Sequence, residues 1–289
     1  MGPTECLPLV SMGLSPRWIQ IGGIFRHMRT CIAWCMAIMI IRVDASAQTA
    51  VSTSHTAKPE AEVWYYFQNN TPTSDVAPRQ QKLTLRFYQP FFFGHGWQLT
   101  MREDIPTLYT NQTGPDNPTG AWLLHSDDMF GQAAIKTPEI APGLTADFGL
   151  RVVFPTGDLK PFGTGRYQIA PHFGLVWDLP GWASAISIAP LARYFQSLGD
   201  GVKRSDATSK VEIHPILAAR LSEDWMITLW REHPLILNTL TNQWFIPLDV
   251  MVHWQALPNL SIGLGGAVSL VANYPQYSNM IYTRFALSF

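Results

Sequence analysis

Polar side chains recur at every second position of otherwise apolar stretches in this chain of 289 residues. They are Arg86, Arg102, Asp147, Arg151, Gln168, His172 and Asp178, followed by Arg193, Glu212, His214, Arg220, Asp249, His253 and Arg284. Side chains two residues apart share one face of a strand. Facing an enclosed space, guanidiniums, carboxylates and imidazoles have two uses. They pair with one another, narrowing the space and holding strands in register, or they contact a solute passing through. A catalytic or metal reading has less to build on. His172, His214 and His253 fall on separate strands, without the spacing that gathers metal ligands, so neither metal nor cofactor is expected. Lipid cleavage in a barrel needs Ser, His and an orienting acid or amide at one rim. Ser and His are plentiful, but no local motif ties them together, and no catalytic residue is assigned.

The elements that must position these residues are strands. Leu144, Ala146, Phe148, Leu150, Val152 and Phe154 alternate with Thr145, Asp147, Gly149, Arg151 and Val153. A helix would smear that apolar set around its cylinder, whereas a strand puts all of it on one face. The same pattern predicts strands near 61–68, 81–92, 97–106, 122–136, 144–154, 166–178, 183–196, 210–221, 225–232, 243–254, 260–272 and 279–289. Twelve such strands make either a sandwich or a closed barrel. Their connections favour the barrel. Short turns at Gly94–Gly96, Leu179–Trp182, Ser222–Asp224 and Ala256–Asn259, with a slightly longer one over 137–143, alternate with longer polar segments at 69–80, 107–121, 155–165, 197–209, 233–242 and 273–278. Short periplasmic turns and longer outer loops are the mark of outer-membrane barrels. The expected fold is therefore all-β: a closed antiparallel transmembrane barrel of about twelve strands, both termini periplasmic.

Composition agrees. Charged residues make up 14% of the chain, against roughly 25% in soluble domains, while aromatics reach 12% and net charge is −1. No nucleic-acid partner is expected from so neutral a chain. The longest apolar run, Cys31–Ile41, has 11 residues, short of the about 18 that a spanning helix needs. Arg26 and Arg29 precede it and Ala45-Ser46-Ala47 follows, which reads as a secretory signal peptide over 1–47, with Met28 as an alternative start. Residues 48–60 read as a flexible lead and 61–289 as the barrel. Removing 1–47 takes away all three cysteines and leaves 16 basic and 19 acidic residues. Trp97, Trp177, Trp182, Trp225 and Trp254 all flank short turns, where indole rings would sit at the headgroups of the outer-membrane lipids.

Two further features bear on function. Pro171, Pro190, Pro215 and Pro247 lie inside strands, each six or seven residues from a short-turn strand end, although proline removes a ladder donor. They mark either tolerated bulges or a weakened seam through which an apolar solute leaves sideways into the lipid. The last strand ends Ile281, Thr283, Phe285, Leu287, Phe289 on one face. That ending, with its terminal Phe289, resembles the signal by which outer-membrane barrels are delivered to the barrel-assembly machinery.

Phe154-Pro155-Thr156-Gly157-Asp158, followed by Phe162-Gly163-Thr164-Gly165, resembles the outer-membrane proteins of the meta-pathway of phenol degradation. Those sequences share a strand ending in P-T-G, a G-T-G-like loop and a further strand with a proline; here that runs from Phe148 through Phe173. The glycines suit a tight loop needing positive φ. The resemblance implies a barrel for uptake of aromatic or other apolar compounds and carries over no functional residue. The expectation is a non-enzymatic, porin-like channel passing small hydrophobic or aromatic solutes. The alternatives are a lipid-acting barrel enzyme and a structural or adhesive barrel.

Overall fold

A computed structural model describes residues 58–70, 79–114, 117–157, 162–179, 185–198, 207–274 and 276–289. The expected signal peptide, most of the lead and Trp182 lie outside the described residues. The strands are β1 (Glu60–Asn70), β2 (Arg79–Phe92), β3 (Gln98–Thr110), β4 (Leu123–Ser126 and Met129–Lys136), β5 (Leu144–Phe154) and β6 (Tyr167–Asp178). They continue as β7 (Ile186–Ile188 and Leu191–Leu198), β8 (Ser209–His214 and Leu217–Arg220), β9 (Trp225–Leu229 and Leu235–Asn238), β10 (Gln243–Leu257), β11 (Leu260–Ala272) and β12 (Tyr277–Ser288). Each pairs antiparallel with its neighbours in sequence. β12 pairs with β1 from Glu60↔Ser288 to Asn70↔Tyr277, so the sheet closes into a twelve-stranded antiparallel barrel with no free edge. The first strand begins within the expected lead, since Glu60 already pairs on both sides.

Burial follows the two-residue period. Along β1, Glu60, Glu62, Trp64 and Tyr66 are buried, while Val63, Tyr65 and Phe67 are exposed. Leu85, Met101, Phe148, Leu150, Phe173, Leu264, Ile281 and Phe285 continue the exposed apolar face around the ring. Closing the sheet on itself thus presents an apolar band outward and gathers most charged side chains inside, beside a buried cluster that includes Trp64, Tyr66, Phe245, Met251 and Tyr282. At the short-turn end, Phe93 N–H donates to Trp97 O (2.9 Å) across a turn in which His95 and Gly96 take φ of 65° and 81°. Trp97, Trp177, Trp225 and Trp254 are all exposed at that end, and the last two stack at 6.0 Å.

The alternation of turn lengths is less regular than expected. β9 resumes at Leu235, so the connection predicted over 233–242 shrinks to 239–242. The reason is that residues 230–234 are an excursion within the strand. Between Leu229↔Val250 and Ile236↔Phe245, six residues of β9 face four of β10. The two surplus residues have nowhere to go in the wall and turn inward.

Candidate functional site: the barrel lumen

The inward excursion of β9 reaches across the lumen. Glu232 accepts hydrogen bonds from Arg86 Nη2 (3.0 Å) and Nη1 (3.2 Å) and from Tyr66 Oη (2.7 Å). β2 and β9 lie five strands apart in a ring of twelve, so this ion pair is a strut across the interior. Its base is held by Asp249, whose Oδ2 accepts from the backbone N–H of Glu232 and His233 at 3.2 Å each. Tyr282 Oη donates to the other Asp249 oxygen. Trp230 opens the excursion at φ 52°, a left-handed conformation costing a non-glycine residue about 1–2 kcal/mol. Two bonds offset that strain: Trp230 N–H to Asp249 O (3.0 Å) and Trp230 Nε1 to Pro247 O (2.8 Å). His233 packs edge-on against Tyr66, Tyr277 and Tyr282.

Around this strut the lumen carries two charged clusters. On the closing wall, Arg284 binds Glu62 (2.5 Å) and Glu60 (2.8 Å), and Arg86 binds Glu62 (3.4 Å) and Asp104 (2.9 Å). Arg102 reaches the same Asp104 at 2.8 Å, and Trp64 Nε1 donates to Glu62 at 2.5 Å. On the facing wall, Glu212 pairs with Arg193 (3.2 Å) and Lys210 (2.8 Å), and His172 lies 3.3 Å from Asp147. Arg151 donates to Gln132 Oε1 (3.1 and 2.9 Å) and lies over the Phe130 ring.

Of the fourteen residues predicted to line the lumen, Arg86, Asp147, Arg151, Gln168, His172, Arg193, Glu212, His214, Asp249, His253 and Arg284 are buried within it. Arg102 is half-buried there, Asp178 is half-buried at the short-turn rim, and Arg220 is exposed at that rim. Arg220 therefore marks the mouth, because β8 ends with it. The three histidines take separate partners: Asp147 for His172, Trp230 O for His214 (3.3 Å) and Thr228 Oγ1 for His253 (3.0 Å). Sequence reasoning missed Glu60, Glu62, Trp64, Tyr66, Asp104 and Glu232. Glu62, Trp64, Tyr66 and Asp104 sit on expected strands, Glu60 fell in the expected lead, and Asp104 could have been found by the same alternation that found Arg102. Glu232 had no signal, because nothing in Trp230–Pro234 distinguishes an inward loop from a strand end.

The prolines divide. Pro190 and Pro215 interrupt β7 and β8 at facing positions, between the pairs Leu191↔His214 and Ile188↔Leu217. Pro215 also faces the level at which β9 turns inward. The β6–β7 pairing lapses over Ala170 and Pro171. Pro171 and Pro190 are exposed, Pro215 is half-buried, and Val176, Ala189 and Ile216 form a buried apolar cluster beside the breaks. Pro247 does not belong with them. It is fully buried and points inward on β10, where Leu270 of β11 is skipped between Ile246↔Val271 and Pro247↔Ser269.

The described residues of the loop after β5 also fold inward. Asp128 accepts from Thr164 N (2.6 Å), Thr164 Oγ1 (2.7 Å) and Gly157 N (3.2 Å), and Thr164 Oγ1 accepts from the inward Gln168 (2.8 Å). Phe162 is buried against His125. Only Gly165 has the expected positive φ, at 67°. Gly157 and Gly163 serve close approach instead: a Cβ on Gly157 would strike the Phe162 backbone, and one on Gly163 the Asp128 carboxylate. Gly163→Val should therefore eject the loop. The expected outcome is faster proteolytic cleavage between 155 and 166 in the folded protein, with the barrel itself intact.

No protein-family model matches the chain, and no curated protein matches it. Among solved structures it is similar to the NanC porin, at 11% identity and a TM-score of 0.48 over 80% of this chain and 98% of that one. It is similar also to the KdgM porin in complex with disordered oligogalacturonate, at 9% identity and 0.47 over 80% and 99%. Outer membrane phospholipase A from Escherichia coli stands at 10% identity and 0.48, over 79% of this chain and 90% of that one.

Proposed function

We propose that this barrel spans the outer membrane of a Gram-negative cell and passes small hydrophobic or aromatic solutes without energy input. The observation that carries the reading is the inverted distribution of side chains. A closed ring with an apolar band outside, exposed Trp at one rim and ion pairs within leaves no open strand edge and suits a hydrocarbon surround. Twelve strands enclose more than side chains of the wall need to fill, and the Arg86–Glu232 strut occupies that space. In this reading Phe289, whose N–H bonds Pro59 O at 3.1 Å while its ring stays exposed, presents the assembly signal.

The exit is a second part of the reading. Pro190 facing Pro215, next to the β9 excursion, leaves successive strand pairs short of ladder bonds, and the apolar Val176, Ala189 and Ile216 stand behind. An apolar solute would leave through that seam into the lipid.

Reconstitution in a planar bilayer, with conductance and benzyl alcohol flux measured together, tests the channel. Solubility without detergent, or a bilayer silent to both, would overturn it. Converting Pro171, Pro190 and Pro215 to Ala restores the missing donors, and toluene uptake into cells should then fall while arabinose uptake holds. Unchanged toluene uptake discards the seam.

A further inference from the structure

Among the described residues, the lumen's ion pairs do not balance on the β3–β8 wall. Asp104 is shared by Arg86 and Arg102, and Glu212 by Arg193 and Lys210. Asp147 faces His172 and stands opposite Lys136 in the register. Among the described residues Arg151 makes no ion pair: its Nε and Nη2 both donate to Gln132 Oε1, and its guanidinium stacks 3.8 Å from the Phe130 centroid. Only 9% of Arg151 is exposed. A buried cation without a counter-charge is costly, and a bound anion offsets that cost.

The surroundings point the same way. Gln132 stands opposite both Arg102 and Arg151, placing two guanidiniums one strand either side of it. Arg193, 6% exposed, keeps its Nε without a hydrogen-bond partner among the described residues. Phe130 lies beneath Arg102 and Arg151, and Phe195 beneath Lys210 and Arg193. Arg102 and Lys210 retain 16% and 21% side-chain exposure, so the patch is open to the lumen.

We infer that Arg151, flanked by Arg102 and Arg193, is a binding site for a small organic carboxylate, with the aromatic side chains accommodating an apolar body. This deepens the channel reading by naming a class of solute, and it rests on that reading for the route of entry. A planar carboxylate suits the guanidinium fork, whereas a neutral aromatic alcohol does not.

The test uses the full-length barrel folded in detergent, with benzoate as probe and benzyl alcohol as its uncharged counterpart, measured by titration calorimetry. Benzoate should bind and benzyl alcohol should bind at least about tenfold more weakly, the worth of one charge-assisted hydrogen bond. Arg151→Gln should weaken benzoate by about tenfold or more. Gln132→Glu gives Arg151 its missing counter-charge, so this variant should fold at least as well and lose benzoate equally. Arg151→Lys should recover part of the binding. Benzoate that fails to bind, binds no better than benzyl alcohol, or binds Gln132→Glu as tightly as the parent overturns the inference. Its failure is separable from that of the channel: a barrel that conducts yet ignores benzoate sinks only the site, and one that binds benzoate yet stays silent in the bilayer sinks only the channel.

Discussion

Glu232→Ala is expected to raise the single-channel conductance of the reconstituted barrel several-fold. The carboxylate is the tip of the only segment of β9 that leaves the wall, and its three described bonds all run to the far side of the lumen. Without them the excursion keeps its hold on Asp249 but loses its far anchor, and the strut can retract toward β10. The barrel survives the loss because Arg86 keeps Asp104 at 2.9 Å and Glu62 at 3.4 Å. The cost to stability is therefore that of an orphaned Tyr66 hydroxyl and a weakened ion pair, about 1–3 kcal/mol. Glu232→Gln keeps the volume and the Tyr66 bond, so it should open the lumen less than Glu232→Ala. Equal conductance in the parent and both variants would show that the strut does not limit flow. The reading of the interior as a route would then need another constriction.

The second large effect concerns closure. Arg284→Met should lower the stability of the detergent-folded barrel by about 3–5 kcal/mol, the usual cost of removing one partner from a buried ion network. Arg284 neutralises Glu60 and Glu62 together, and Glu62 is among the most deeply buried side chains in the protein. Its remaining partners, Arg86 at 3.4 Å and Trp64 Nε1, already serve other contacts or carry no charge. Urea unfolding followed by tryptophan fluorescence gives the change in midpoint. Combining Arg284→Met with Glu60→Gln and Glu62→Gln removes the stranded charges and should restore most of the loss. A triple variant no more stable than Arg284→Met alone would mean that packing, not charge, is what Arg284 supplies.

These two positions were unequally readable in the sequence. Arg284 stood out because a lone cation interrupted a run of apolar residues at an alternating position. Its partners Glu60 and Glu62 did not, since they lie at the start of a strand whose inward side chains, Trp64 and Tyr66, are as bulky and aromatic as the outward Tyr65 and Phe67. When both faces carry aromatics, hydropathy cannot tell inside from outside, and the closing register with β12 does so instead. The period-two pattern was enough for twelve strands and their closure because each strand repeats it over many residues. It failed where the chain departs from a period, at Trp230–Pro234 and at the Asp128-centred loop. There, two surplus residues and two close backbone approaches shape the chain. The prolines show the same limit. All four break a ladder, but which face each presents depends on local register, and Pro247 turned out to face inward at a skipped residue.

The Glu60–Glu62–Arg284 cluster also implies an expected order of events in time. Its members lie 222 to 224 residues apart in the chain yet join adjacent strands. Contacts so distant in sequence carry the largest loop-closure cost, and are expected to form after neighbouring hairpins have paired. Until then β1 and β12 each carry an open edge and the glutamates wait without their cation. Completion of the ring is thus the step at which two edges, two buried acids and one arginine are satisfied at once, and an incomplete barrel has a chemical reason not to settle.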